Sequence, residues 1–237
     1  YDICHTLMKR GDYMKSVKIT SDHFSILEKM KLGEIDRKNL YIKTYKKGEY
    51  IFYQNEEIKN IFIIYSGKVG VTLDSSKGHR LLLAIYSPNS MLGDIEFFNK
   101  SCTVSNAQSL SDTAVICISY SDIEKLRNHN EFIYLLGQIL AKKLTRNIKN
   151  NSINILNAAD IKIAAYIAGI CENNIFDVNL SKFSELLGIS YRHLLRRLKA
   201  FCENGYLLKI KDAYKITDLN SLKELAGDYY ITDDWQI

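Results

Sequence analysis

Residues 181–217, SKFSELLGISYRHLLRRLKAFCENGYLLKIKDAYKIT, decide the fold of the C-terminal third of the chain. Ser181 to Leu187 reads as a short helix and Gly188-Ile189-Ser190 as a tight turn. Tyr191 to Asn204 reads as a second helix ended by Gly205, which reaches the left-handed conformation without a Cβ penalty. That pattern is a helix-turn-helix. Beyond it, Tyr206 to Ile210 and Tyr214 to Thr217 flank Lys211-Asp212-Ala213 as a wing-type hairpin, and Leu219 to Ala226 supplies one more small helix. On the second helix Leu194, Leu195, Leu198, Phe201 and Cys202 recur at i, i+1, i+4, i+7 and i+8 and are expected to be its buried face. Arg192, Arg196, Lys199 and Glu203 recur on the outward face. Guanidinium forks match guanine edges in a major groove, and ammonium groups match phosphates. From Lys182 to Lys215 eight basic residues stand against three acidic, an excess of five that equals the formal charge of the whole chain. A charged helix face is most often merely solvated, but turn, wing and local charge together point to double-stranded DNA as partner.

Upstream, Ile161 to Cys171 reads as a helix preceded by a hinge over Asn150 to Asp160. Before the hinge, Phe132, Leu136, Ile139, Leu140, Leu144, Ile148 and Ile155 keep helical spacing over Glu131 to Ile155. Such a helix would be about 38 Å long at about 1.5 Å per residue. Its apolar stripe needs a partner, either its own domain or a second copy across a dimer axis, which would leave Lys142, Lys143, Arg146 and Lys149 on outer faces. Ser121 and Glu124 have capping-box spacing and open a shorter helix with Ile123 and Leu126 on one face. Between Tyr41 and Tyr120 the period is that of strands: Tyr50-Ile51-Phe52, Ile61 to Tyr65, Lys68 to Leu73, Arg80 to Tyr86, Val104 to Ala107 and Thr113 to Ile118. Val69, Val71 and Leu73 alternate with Lys68, Gly70 and Thr72, which predicts one buried face. A turn over Asp74 to Gly78 returns the chain into the next strand. Residues 1–40 show only a weak helical pattern around Phe24, Ile26, Leu27 and Met30, with Asp22 in capping position. The division this predicts is an N-terminal segment 1–40, a β domain 41–120, helices 121–156, and a winged helix-turn-helix domain 157–237.

With 46% hydrophobic and 25% charged residues the composition is globular, which excludes disordered and fibrous classes. No apolar run approaches the roughly 20 residues that span a bilayer, and no secretory leader pattern is seen. Five cysteines, Cys4, Cys102, Cys117, Cys171 and Cys202, have neither CxxC spacing nor an even count and read as reduced thiols, so a cytoplasmic protein is expected. GxSxG, Walker and HExxH motifs are absent, and the β region holds only His79 where a cupin-type metal enzyme would need several ligands. The expectation is no enzyme, no metal and no cofactor. A protein-interaction module built on the winged helix stays open as an alternative, as does, more remotely, the cupin-like enzyme.

Gly48-Glu49-Tyr50-Ile51-Phe52, the run from Ile61 through Tyr65-Ser66-Gly67-Lys68-Val69, Gly93-Asp94-Ile95-Glu96, the long helix and the helix-turn-helix follow one another in the order of the CRP/FNR family of bacterial transcription regulators. The string Leu187-Gly188-Ile189-Ser190-Tyr191-Arg192-His193-Leu194-Leu195 is most similar to the YeiL branch of that family. The resemblance covers nearly everything after residue 40. It implies an α+β fold: a double-stranded β-helix, the cyclic-nucleotide-binding jelly roll; a long dimerisation helix; and a C-terminal winged helix-turn-helix. Two copies would read a pseudo-palindromic operator. RNA polymerase and a small-molecule effector of unread identity are the further partners it brings; a membrane is not among them.

Carried over residue by residue, the family's DNA contacts fall on Ser190, Tyr191, Arg192, His193 and Arg196. Arg192 and Arg196 are assigned to base edges, and Ser190, Arg197 and Lys199 to the phosphate backbone. The effector pocket falls on Gly93, Asp94, Ile95, Glu96, Thr103 and Val104. Cyclic-AMP-responsive members carry Arg-Ser where this chain has Thr103-Val104, and a longer carboxylate where it has Asp94. A phosphate buried without a cation is strongly penalised, so the pocket reads as degenerate and the signal as something other than cyclic AMP bound in the usual way. Arg80 reads as a solvent-facing strand residue, although it lies near enough to be considered for the pocket. Oxygen-sensing members hold an iron–sulfur cluster on clustered cysteines; Cys4 stands alone and Cys117 lies in an apolar strand, too few thiolates for a cluster. Cys4, Cys102 and Cys117 stay open as redox-sensitive thiols, and His79 as a haem ligand reads as a solvated turn residue.

Overall fold

The computed structural model describes residues 20–36, 39–76, 80–155, 159–171 and 174–227. Cys4 and His79, most of the N-terminal segment and part of the hinge lie outside the described residues. Two four-stranded antiparallel sheets face each other as a jelly roll. One has the order β1 (Leu40–Tyr45), β8 (Thr113–Ser119), β3 (Asn60–Ser66), β6 (Met91–Leu92); the other has β2 (Tyr50–Phe52), β7 (Asn106–Ser109), β4 (Val69–Asp74), β5 (Arg80–Tyr86). Phe52, Phe62, Ile64, Val69, Ala84, Val115 and Cys117 fill the space between them. The first sheet is covered on its other face too, by α1 (Ser21–Lys29), α3 (Tyr120–Lys125) and α4 (Asn130–Ile155). There Leu27, Met30, Ile123, Phe132, Leu136 and Ile139 pack on Ile61, Ile63, Ile116 and Ile118. Burial on both faces is why Ile61 to Ile64 reads as an unbroken apolar run. Cys117 sits at the centre of this sheet, and burial pushes its thiol up to about 12, which leaves it a small hydrophobe at neutral pH.

Several local expectations are corrected. The alternation over β4 holds at Val69 but breaks at a bulge between Val71 and Thr72, which turns Thr72 inward and leaves Leu73 exposed. The strand expected at Val104 to Ala107 begins instead at Asn106. Helix α3 is capped by Ser119, whose Oγ accepts from the Asp122 N–H at 3.2 Å and donates to Asp122 Oδ2 at 2.6 Å, so the Ser121–Glu124 box does not form. Helix α1 is capped by Thr20 rather than by Asp22, and the Thr20 N–H donates to His23 Nδ1 at 3.0 Å. Two motif glycines have a steric reason. Gly67 (φ 85°) and Gly93 (φ 83°) are left-handed, and a Cβ on Gly93 would lie 2.7 Å from the Asn60 carbonyl.

After α4 the chain forms α5 (Ala159–Ile170), β9 (Ile175–Phe176), α6 (Leu180–Leu187), α7 (Tyr191–Glu203), the hairpin β10 (Leu207–Ile210) and β11 (Ala213–Ile216), and α8 (Leu219–Ala226). β9 adds a third strand to the hairpin, pairing with β11. Ile163, Ile167, Phe176, Phe183, Leu187, Leu194, Leu198, Phe201 and Leu222 form the core of this unit. Leu82, Ile85 and Leu110 of the jelly roll belong to the same buried cluster, so the second sheet's outer face is docked on the C-terminal unit. Lys68 Nζ donates to the Gly169 carbonyl across that contact, and the Arg80 carbonyl lies 3.3 Å from where a Cβ on Gly188 would stand.

Candidate functional site

Helix α7 is fixed at both ends by local chemistry. At the start, the Ser190 Oγ accepts from the His193 N–H at 3.2 Å; at the end, the Gly205 N–H donates to the Cys202 carbonyl and the Tyr206 N–H to the Phe201 carbonyl. Gly188 (φ 64°) makes the turn from α6. Leu194, Leu198 and Phe201 are buried, which presents Tyr191, Arg192, Arg196 and Lys199 to solvent as one surface. Lys199 Nζ meets Glu203 at 3.6 Å in an exposed pair of little energetic consequence. Lys182, Lys209, Lys211 and Lys215 are exposed around this helix.

Three expected placements differ. Leu195, assigned to the core face, is 38% exposed and stands among the basic residues. Arg197, assigned to the DNA backbone, faces the other way; its guanidinium makes a two-pronged ion pair with Asp160 and ties α7 to α5. His193 is half-buried on the flank of the helix. Ser190 keeps its expected place, since its Oγ accepts as the cap and its O–H is left to donate.

The second cluster lies in the jelly roll, under the long helix. Lys143 of α4, expected on an outer face, is only 4% exposed. Its Nζ reaches both carboxylate oxygens of Asp94 at 2.8 Å and the Met91 carbonyl at 2.7 Å. Arg146, one turn on and half-buried, donates to the Tyr86 hydroxyl at 2.7 Å and lies over the Tyr86 ring. Asp94 opens the short helix α2 (Asp94–Asn99) with Gly93 as its cap, and the Gly93 carbonyl accepts from the Tyr120 hydroxyl at 2.8 Å. Among the other expected pocket residues, Thr103 is buried and spends its hydroxyl accepting from the Glu56 N–H and donating to the Tyr53 carbonyl, whereas Ile95 and Val104 point to solvent. Arg80 turns away from this cluster, pairing with Asp74 at 2.6 Å and Tyr50 at 2.9 Å and holding the Asp74 carboxyl below its ordinary value. Sequence reasoning misplaced Lys143 as well. Its signal was present, because 132, 136, 139 and 143 keep the i, i+4, i+7, i+11 spacing of the buried stripe.

Glu96 is buried beside this pair, and burial first, then the neighbouring Asp94, raise its pKa. An acid whose pKa is raised in the folded state binds more protons folded than unfolded, so its contribution to stability falls as pH rises past the ordinary glutamate value of about 4.3. Glu96→Gln is therefore expected to stabilise the fold at pH 7 and to lose that advantage at and below about pH 4. Thermal unfolding of both proteins across that range checks it; a gap that widens on acidification contradicts it.

Among the described residues no helix is long and apolar enough to cross a membrane, and no group of three or more His, Cys, Asp or Glu side chains is placed to hold a metal ion. Residues 42–130 match the cyclic nucleotide-binding domain family. The regulatory protein YeiL of Escherichia coli O157:H7 is 26% identical over 183 residues, 75% of this chain and 82% of YeiL. A CRP-like cAMP-activated global transcriptional regulator of Mycobacterium tuberculosis is 21% identical over 202 residues, 80% of this chain and 89% of its own. In fold, a CRP/FNR family transcriptional regulator of Thermus thermophilus superposes with a TM-score of 0.63 at 16% identity, over 78% of this chain and 97% of the other. FixK2 of Bradyrhizobium japonicum gives 0.61 at 17% identity, over 78% and 96%. The chain thus carries a cyclic nucleotide-binding-type domain over residues 42–130, is similar over most of its length to regulators that include YeiL, and shares the order of jelly roll, long helix and winged C-terminal unit with structures of the CRP/FNR family.

Proposed function

We propose that the chain is a homodimeric, sequence-specific DNA-binding transcription regulator that reads a palindromic operator with α7. The observation that carries this is the exposed basic face of a helix held by a three-residue turn and flanked by a lysine-bearing hairpin. Arg192 and Arg196 would read base edges, Tyr191 would border them, and Ser190 and Lys199 would position the phosphates. Arg197 has no part in this, being taken up by Asp160. The relatives that are regulators support the reading.

Dimerisation would use the outer face of α4. Tyr134, Gly137, Ala141, Leu144 and Ile148 are exposed at intervals of 3, 4, 3 and 4, the heptad spacing of a left-handed helix pair. Leu144 is 62% and Ile148 59% exposed, an unusual place for large apolar side chains in a lone helix. The opposite face of α4 is already spent on the jelly roll.

The signal at the roll would not be cyclic AMP in the family's usual manner. Thr103 offers no charge, and the cation nearest Gly93-Asp94 is Lys143, already satisfied by Asp94. A cyclic phosphate would have to break that pair to gain a counter-charge. Calorimetry showing micromolar cyclic-AMP binding would overturn this part.

The test of the whole reading is selection from random duplex DNA, followed by affinity at two salt concentrations. A palindrome with a steep salt dependence supports it, since each neutralised phosphate releases counterions. Arg196→Ala is expected to lose preference for the selected operator, by on the order of 1–3 kcal/mol, whereas Lys199→Ala should weaken all duplexes alike. The opposite pattern would reverse the two assignments. A protein-interaction module would instead show poor, salt-insensitive DNA affinity.

A further inference from the structure

We propose that Leu195 reads the 5-methyl group of a thymine in each half-site of the operator. This rests on the reading of α7 as the DNA-facing helix. The core side of α7 is completed by Leu194, Leu198 and Phe201, all buried, so Leu195 is surplus to it. It is 38% exposed, and Tyr191, one turn earlier on the same row, is 49% exposed. The two make an apolar row that runs beside the cationic row of Arg192 and Arg196, with Lys199 continuing the surface one turn further on. Both rows lie on the face presented to solvent.

Of the features that the four base pairs show in the major groove, the thymine C5-methyl is the apolar one; the others are hydrogen-bond donors and acceptors. A leucine pressed against a guanine, adenine or cytosine edge would remove water from a polar group and return no hydrogen bond. Against a thymine methyl it returns apolar contact. Leu195 thus favours thymine and penalises the alternatives at the same position, which is how specificity is built from a difference of affinities. Charge complementarity selects this occupant. A second copy of the same face would bring Arg192, Arg196 and Lys199 against their own kind, while duplex DNA supplies the opposite charge alongside the methyl.

The experiment uses the full chain and the selected operator, with each symmetric pair of thymines replaced in turn by deoxyuridine, which removes the methyl group alone. One pair is expected to cost about fourfold per half-site and about fifteenfold for both, the equivalent of about 0.8 kcal/mol per buried methyl-sized group. Leu195→Ala should show a similar loss on the unmodified operator and no additional loss at that pair. The position is exposed and alanine is the better helix former, so the variant should fold. Equal sensitivity of wild type and Leu195→Ala to that replacement, or insensitivity to every pair, overturns the proposal. Failure to select any sequence overturns it together with the DNA-binding reading, whereas a tight operator indifferent to all its methyls overturns the thymine contact alone.

Discussion

Replacing Lys143 by methionine should cost about 3 to 5 kcal/mol of folding stability, because it leaves a buried carboxylate without its counter-charge. Asp94 is 1% exposed, and the Lys143 ammonium satisfies both of its oxygens at 2.8 Å while also serving the Met91 carbonyl. Methionine keeps the length of the stem and its packing, so the loss measured is that of the charge. The double variant Lys143→Met with Asp94→Leu removes both charges, and it should recover most of the lost stability, since a buried ion pair is typically about even with an apolar pair of similar volume. Denaturant unfolding of the two variants and the wild type gives all three numbers. A single-variant loss under about 1 kcal/mol would mean that Asp94 finds water or another donor, and the strut between the long helix and the roll would then be an energetic bystander.

In the proposed dimer, introducing aspartate at both Leu144 and Ile148 should yield a monomer and lower operator affinity about 10²–10⁴-fold, the range by which linking two binding modules exceeds one. Both side chains already face solvent on the single chain, so the substitutions leave its core intact. Helical content and thermal unfolding of the monomer should stay close to wild type. Across a helix pair, however, four carboxylates would meet in an apolar seam, where burial of unpaired charge is prohibitive. Sedimentation velocity reads the association state and a titration of the selected operator reads the affinity. A dimer that survives both substitutions would place the two-fold contact on another surface.

How far the sequence could be read depended on whether a pattern has one cause or two. The elements and ends of the helix-turn-helix were legible because turn and caps are local: Gly188, Ser190 and Gly205 fix the helix ends with no help from the rest of the chain. On α4 two stripes overlap. Phe132, Leu136 and Ile139 belong to the roll, and Leu144 and Ile148 to the opposite face, so a single helical period blurred both and sent Lys143 outward. In β4 the bulge after Val71 inverts the alternation, and no residue type announces it. The strand β6 and the edge strand β9 are two residues each, too short for any period to register. Arg197 was misread because the residue that claims it, Asp160, lies 37 positions away in sequence and next to it in space.

Leu82, Ile85 and Leu110 place jelly-roll side chains inside the hydrophobic cluster of the C-terminal unit, and Gly70 leaves room beneath Leu110 for that seating. Withdrawing the three from their contact would expose side chains each worth about 1.5–3 kcal/mol when fully buried. The sum is comparable to the roughly 5.5 kcal/mol that inverts a 1:99 equilibrium. Any event at the roll that releases α7 by separation must therefore deliver differential binding energy on the scale of a tight ligand, and a weak one can move the helix only by sliding it with the greasy contact still closed.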